Sequence, residues 1–132
     1  MIVIDTSAWI ELFRETGSPV ERRLDALLQT QASELAVTEV VVGEVLAGVG
    51  PSALESTRAR LVRLHVLRLR GLRDFELAAE LSRACRAKGE AVRQLSDCLV
   101  AVPAIRAGAT ILHADRDFEK LARHTPLRLE PV

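Results

Sequence analysis

Short apolar runs alternate with longer stretches in which apolar residues recur every three to four positions, from one end of the chain to the other. Ile2–Asp5 is too brief for a helix and reads as a buried strand. Thr6 and Ser7 offer capping hydroxyls to a helix over Ala8–Arg14, where Trp9 and Phe13 stack at i, i+4. Gly17-Ser18-Pro19 stops it, and Pro19 opens the next helix, through about Gln31. Glu34–Val37 is a second strand. Thr38 caps a helix from Glu39 to about Gly48, and Pro51 and Ser52 start another that reaches about Leu64. His65–Leu69 alternates as a third strand. Asp74–Lys88 is a periodic helix with Phe75, Leu77, Ala78, Leu81, Ala84 and Cys85 on its apolar side, ended by Gly89. Ser96 caps a helix over Asp97–Arg106 that Gly108 closes. Thr110–Leu112 is a fourth strand, Asp115–His124 a last helix and Leu127–Leu129 an edge strand.

Short apolar strands alternating with helices predict parallel βαβ units, with helices on both faces of one sheet. The fold class is therefore α/β: a three-layer α/β/α sandwich around a short, mainly parallel sheet of four or five strands. Reactive groups of such a sheet gather beyond the carboxyl ends of its strands.

Composition narrows the picture without naming a chemistry. At 132 residues, 48% hydrophobic and 27% charged, the chain predicts one soluble domain over residues 1–132 with a real core. Net charge is zero, so no global pull toward nucleic acid exists. The distribution is uneven, however: residues 1–57 carry nine acids against three basic residues, and residues 58–93 carry ten basic residues against four acids. That middle stretch, with Arg86, Lys88 and Arg93, suits phosphate contacts, although solvated helix faces explain it equally. Cys85 and Cys98 have no zinc-ligand spacing and read as small core residues in a reducing cytosol. No apolar run reaches the ~18 residues of a membrane span, and a leader before the first strand is not expected, which predicts a cytoplasmic protein.

Four acids interrupt or border apolar runs. Asp5 follows Ile2-Val3-Ile4, Glu44 sits within Val40–Leu46, Asp97 precedes Cys98–Val102, and Asp115 follows Thr110–Ala114. Carboxylates are rarely buried unless paired or bound to a metal, so four of them predict a shared cluster that holds a divalent cation. Each has a plainer reading: Asp5 and Asp115 suit helix caps, and Asp97 suits a first helical turn. On a helical wheel Glu44 shares a face with Val41, Val45 and Gly48, whereas Glu39 lies about 140° away, which favours Glu44 over Glu39. Asp117 is a neighbour or alternate ligand beside Asp115. Thr6 and Ser7 either cap the first helix or hydrogen-bond a carboxylate. His113, at a strand end, reads as structural rather than as an acid–base group.

Together, Ile2-Val3-Ile4-Asp5-Thr6-Ser7, Thr38–Gly48 with its Glu44, Ser96-Asp97-Cys98-Leu99-Val100-Ala101 and Gly108–Phe118 with its Asp115-Arg116-Asp117 resemble the PIN domain, specifically VapC-type toxin ribonucleases. Any one of these motifs is weak; their order and spacing over the whole chain are specific. His113 stands where many relatives carry threonine or serine, and Pro103 falls where the family often has a small residue, which predicts a kink in that helix. The resemblance implies an endoribonuclease dependent on Mg²⁺, with Mn²⁺ as substitute, that cleaves structured RNA (transfer RNA or a ribosomal RNA loop) by metal-activated water. It implies Asp5, Asp97, Asp115 and Glu44 as catalytic and metal-binding residues, with Arg86, Lys88, Arg93 and Arg116 toward RNA. It further implies a homodimer neutralised by a VapB-type antitoxin. The alternative is a degenerate PIN domain that binds RNA or a partner without cutting. Haloacid-dehalogenase chemistry is disfavoured because Ser7 stands where a second acid is needed, and a receiver domain because Lys88 and Lys120 are poorly placed.

Overall fold

In the computed structural model, which describes Met1–Val132, the chain forms five strands and seven helices. They are β1 (Ile2–Ile4), α1 (Thr6–Phe13), α2 (Pro19–Thr30), β2 (Leu35–Thr38), α3 (Glu39–Gly48), α4 (Leu54–Val62) and β3 (His65–Leu67). After them come α5 (Leu72–Ala87), α6 (Leu95–Arg106), β4 (Thr110–Leu112), α7 (Asp117–His124) and β5 (Arg128–Leu129). Every neighbouring pair in the sheet order β3-β2-β1-β4-β5 is parallel. Every residue of β1 and β2 is buried, as expected of a sheet covered on both faces. Helices α1 to α4 pack on one another, as do α5 to α7, and the two groups meet at α3 and α6. The result is the expected three-layer α/β/α arrangement.

The order of strands decides where chemistry can sit. The chain goes from β1 outward through β2 to β3, then returns to place β4 on the other side of β1. That reversal opens a crevice beyond the carboxyl ends of β1 and β4, which pair in register with Ile4 opposite Leu112. Asp5 and the turn after Leu112 therefore emerge side by side.

Helix ends follow local chemistry. Thr38 caps α3 by accepting the Val41 N–H at 3.2 Å, and Ser18 caps α2 by accepting that of Glu21 at 3.1 Å. Gly108 (φ +65°) ends α6, with the Ala109 N–H donating to the Ala104 carbonyl at 2.9 Å and the Gly108 N–H to that of Ile105 at 3.1 Å. Gly89 ends α5 in the same way.

Several expected boundaries are corrected. Helix α1 starts at Thr6, and its cap is Asp5 rather than Thr6 or Ser7. Helix α6 starts at Leu95 after Gln94, so Ser96 lies inside it and is not its cap. The far end of α6 is as expected: Pro103 lies inside the helix, which continues to Arg106. Helix α7 starts at Asp117 rather than Asp115. Phe75, expected on the apolar face of α5, is 46% exposed, because α5 turns Ala78 and Cys85 inward instead. The sequence also gave no sign that Asp74, at the start of α5, is buried and paired with Arg106 at the end of α6. The start of α5 thus lies beside the end of α6, so the two helices run antiparallel and residues 88–94 connect them to the first turn of α6, which bears Asp97.

Ile111 lies at the centre of β4 with no exposed surface. Ile111→Ala should lower unfolding free energy by about 3 kcal/mol through lost burial and the cavity left behind, measured by urea denaturation. A loss below about 1 kcal/mol would show that β4 is not packed as described.

Candidate functional site

Five carboxylates converge on the crevice. Asp5, 4% exposed, caps α1: its Oδ2 accepts the Ser7 N–H at 2.9 Å and the Ser7 hydroxyl at 2.6 Å. The Ser7 Oγ in turn accepts the Ala114 N–H at 2.9 Å. One hydroxyl thus ties the end of β1 to the turn that carries Asp115. Thr6 donates from Oγ1 to Glu44 Oε1 at 2.8 Å, holding α3 against the start of α1. The hydroxyls of Thr6 and Ser7 serve carboxylates, not the helix backbone.

On the other side of the crevice, one ligand oxygen each from Asp97, Asp115 and Asp117 lies within 4.8 Å of the others. Asp115 belongs to the turn before α7 and Asp117 is the first residue of that helix, which lets both approach Asp97. The turn is stapled twice: Asp115 Oδ1 accepts the Asp117 N–H at 3.0 Å, and His113 Nδ1 accepts the Asp115 N–H at 3.1 Å. Burial holds the His113 ring below its ordinary pKa, so it stays a neutral acceptor, and it sits 5.4 Å from the Phe118 ring.

The charge balance is uneven. Burial alone would raise the Asp117 carboxyl, but Lys120 at 2.9 Å and Arg93, through its backbone N–H and Nε at 3.0 Å each, hold it at about 2. Arg93 Nη2 also reaches Asp115 Oδ1 at 3.0 Å. Asp97 has no cation. Its carboxyl is pushed up to about 7 by burial first, and then by the charges of Asp5, Asp115, Asp117 and Glu44. Asp5 is raised as well, mainly by burial and partly by Glu44, against the pull of the Ser7 donors. A carboxyl raised by burial and by four acidic neighbours is one that a bound hard cation would relieve, and an all-oxygen donor set suits a divalent ion of that kind.

Asp97 thus feels the charges of Asp5, Glu44, Asp115 and Asp117, but of the five only Asp97, Asp115 and Asp117 bring ligand oxygens within 4.8 Å of one another. Glu44, however, is exposed, not buried with Val41 and Val45 as the helical wheel suggested. It borders the buried stripe of α3 where the crevice opens to solvent. Glu39 points elsewhere and accepts the Leu69 N–H at 2.7 Å. Arg86, Lys88 and Arg116 are exposed. Arg86 and Lys88 lie at the end of α5 nearest the loop to Asp97, and Arg116 lines an open cleft of about 440 Å³ with Ser7, Arg93, Ala114 and Asp115. Arg93 does not stand free toward a phosphate; it grips Asp115 and Asp117.

Two features escaped sequence reasoning. Lys120 was read only as misplaced for a receiver domain, although its spacing three residues after Asp117 on a helix signals an ion pair. The other is a groove of about 550 Å³ that starts at Thr6 and Glu44 and runs along Ile10, Phe13 and Val49. Arg60 lies over the Phe13 ring there, 6.0 Å from its centroid.

Comparison with known proteins adds an independent line. The family model described as PIN domain matches residues 2–124. Ribonuclease VapC11 of Mycobacterium tuberculosis is 44% identical over 129 residues, which cover 97% of this chain and 96% of that protein. Among solved structures, VapBC2 from Rickettsia felis, bound to a DNA fragment from its promoter, superposes with a TM-score of 0.68 at 21% identity over 98% of both chains. VapC20 of Mycobacterium tuberculosis, described as a sarcin-ricin loop cleaving toxin, gives 0.66 at 18% identity, covering 97% of this chain and 99% of that one. At those identities the two structures speak to fold.

The folded pKa of Asp97, about 7, lies above its ordinary 3.8, so the folded chain binds that proton more tightly than the unfolded chain does. Stability from this group is present at low pH and is lost as pH rises from about 4 to about 7. In EDTA, Asp97→Asn should therefore melt at a higher temperature than the parent at pH 8, with the two curves converging near pH 4. Equal melting temperatures at pH 8 would contradict the crowding described.

Proposed function

This chain belongs to the PIN-domain family, and from that premise we propose that it is a divalent-metal-dependent endoribonuclease toxin, a single domain over residues 1–132 that inhibits translation and growth by cutting structured RNA. The observation that carries the reading is Asp97, a carboxylate with no ion-pair partner whose oxygen lies within 4.8 Å of those of Asp115 and Asp117 and which also feels the charges of Asp5 and Glu44. Its support from relatives is the ribonuclease activity in the name of VapC11.

In this reading Asp5, Asp97 and Asp115 hold the ion directly, and Glu44 completes the set. Mg²⁺, or Mn²⁺ in its place, supplies positive charge to offset the negative charge that develops on the phosphate oxygens during cleavage. The chain's own residues do the positioning. Ser7 fixes Asp5 Oδ2, and Thr6 fixes Glu44 Oε1, leaving Glu44 Oε2 to accept the proton of the attacking water. Asp117, clamped by Lys120 and Arg93, sets the turn that presents Asp115. Arg116, exposed beside Asp115, offers a phosphate contact at the crevice, and exposed Arg86 and Lys88 offer contacts farther out, Lys88 beside Arg123 and His124 at the far end of α7. Transfer RNA or a ribosomal RNA loop is the substrate class, a reading supported by the description of VapC20.

The partner is a small VapB-type antitoxin, as the VapBC2 complex suggests by analogy. The groove beside Thr6 and Glu44, with Ile10, Phe13 and Val49 along it, suits the apolar side chains of its tail. The toxin acts as a homodimer in the cytoplasm, where its RNA is found. No helix is long and apolar enough to cross a membrane.

RNA cleavage should require Mg²⁺ or Mn²⁺ and cease in EDTA. Asp5→Asn should abolish cleavage and growth inhibition with the circular dichroism spectrum unchanged. Cleavage that persists in EDTA or in Asp5→Asn would overturn the assignment; a chain that binds RNA without ever cutting it would be the degenerate domain. Independently of activity, Mg²⁺ at ten times its Kd should stabilise the fold by about 1.4 kcal/mol, and an unmoved melting temperature would remove the metal from the site.

A further inference from the structure

We propose that Arg93 is the resident counter-cation of the acid cluster: its guanidinium bridges Asp115 and Asp117, releases Asp115 when a divalent ion enters, and keeps its hold on Asp117. The inference rests on the reading of the cluster as a metal centre and assigns that centre a built-in competitor.

The two ends of the bridge are unequal. Toward Asp117, Arg93 makes two hydrogen bonds at 3.0 Å, one from its backbone N–H and one from Nε, to a carboxylate with no exposed surface. Lys120 holds the other oxygen of that carboxylate. This end is an anchor, fixed partly through the main chain. Toward Asp115 there is one bond, from Nη2 at 3.0 Å, to a partly exposed carboxylate whose Oδ1 already accepts the Asp117 N–H. The Arg93 side chain itself is 67% exposed. Of the two contacts, the one to Asp115 has less to hold it.

Asp115 is also the residue whose carboxylate a metal ion would need. Its ligand oxygen lies within 4.8 Å of those of Asp97 and Asp117. An ion held by Asp115 with Asp97 and Asp5 would meet a guanidinium on the Asp115 carboxylate, and like charges on one carboxylate repel. Nη2 therefore gives way while Nε and the backbone N–H stay. The guanidinium edge freed from Asp115 faces the cleft it shares with Ser7, Ala114 and Arg116. There it becomes available to a phosphate group of the substrate, so metal loading and phosphate capture are coupled through one side chain. Arg93 is in this sense a positioning residue for the centre, and its charge is passed from carboxylate to phosphate in step with the metal.

Calorimetric titration with Mn²⁺ of the wild-type chain and of Arg93→Met, which keeps the length and loses the charge, tests this directly. Removal of the competitor should tighten Mn²⁺ binding roughly tenfold, within the range usual for coupled ligands. At saturating Mn²⁺ the same variant should cleave RNA with a salt dependence reduced by about one phosphate contact. Binding that is unchanged or weaker in Arg93→Met would overturn the proposal. Should that variant misfold, nitrogen NMR of arginine side chains in the wild-type chain decides it. On Mg²⁺ saturation the Arg93 Nη signals should move while Nε–H keeps its hydrogen-bonded position; static Nη signals refute the release. A wild-type chain that binds no Mn²⁺ would sink the metal-centre reading itself, whereas a wild-type chain that binds Mn²⁺ and cleaves, with no gain in Arg93→Met, would sink only this inference.

Discussion

The site depends on the in-register parallel pairing of β1 with β4. Ile4 lies opposite Leu112, so the residues that follow each strand leave the sheet at the same height, at the point where strand order reverses. A slip of one residue would turn the side chains of β4 to the opposite face and carry Asp115 away from Asp5. Burial of both strands makes such a slip expensive. Ser7 then locks the arrangement locally, donating to Asp5 and accepting from the backbone of Ala114.

Given that geometry, electrostatics decides what the crevice can do. Of the five carboxylates only Asp115 and Asp117 are paired with cations, Arg93 and Lys120. Asp5 is eased by the Ser7 donors and Glu44 by the Thr6 hydroxyl and by solvent. Asp97 receives nothing comparable, and its carboxyl holds its proton to about pH 7. The architecture thus leaves one charge to be met from outside the chain.

Much of this was legible in the sequence, for identifiable reasons. Asp5 and Asp115 announce themselves because an acid at the end of an apolar strand has few reasons to be there, and Thr38, Pro19, Gly89 and Gly108 mark helix ends through strong local chemistry. What stayed hidden was long-range. Arg93 was one of ten basic residues in its stretch, and its grip on Asp115 and Asp117 reaches across 22 and 24 residues of sequence. A helical wheel gives Glu44 a direction but not what lies there, and what lies there is the open crevice. Ser96 resembled a cap because serine usually is one, yet α6 begins a residue before it. Phe75 fits an apolar stripe by spacing, but α5 is only half covered and its partners meet Ala78 and Cys85.

In the proposed centre, side chains from the end of β1 (Asp5), α3, α6 and the turn before α7 jointly hold a hard cation. Anomalous diffraction from crystals grown in Mn²⁺ tests it most directly. The account predicts one strong anomalous peak bounded by the carboxylates of Asp5, Asp97 and Asp115. A peak elsewhere on the protein, or none in that crevice at saturating Mn²⁺, would contradict it.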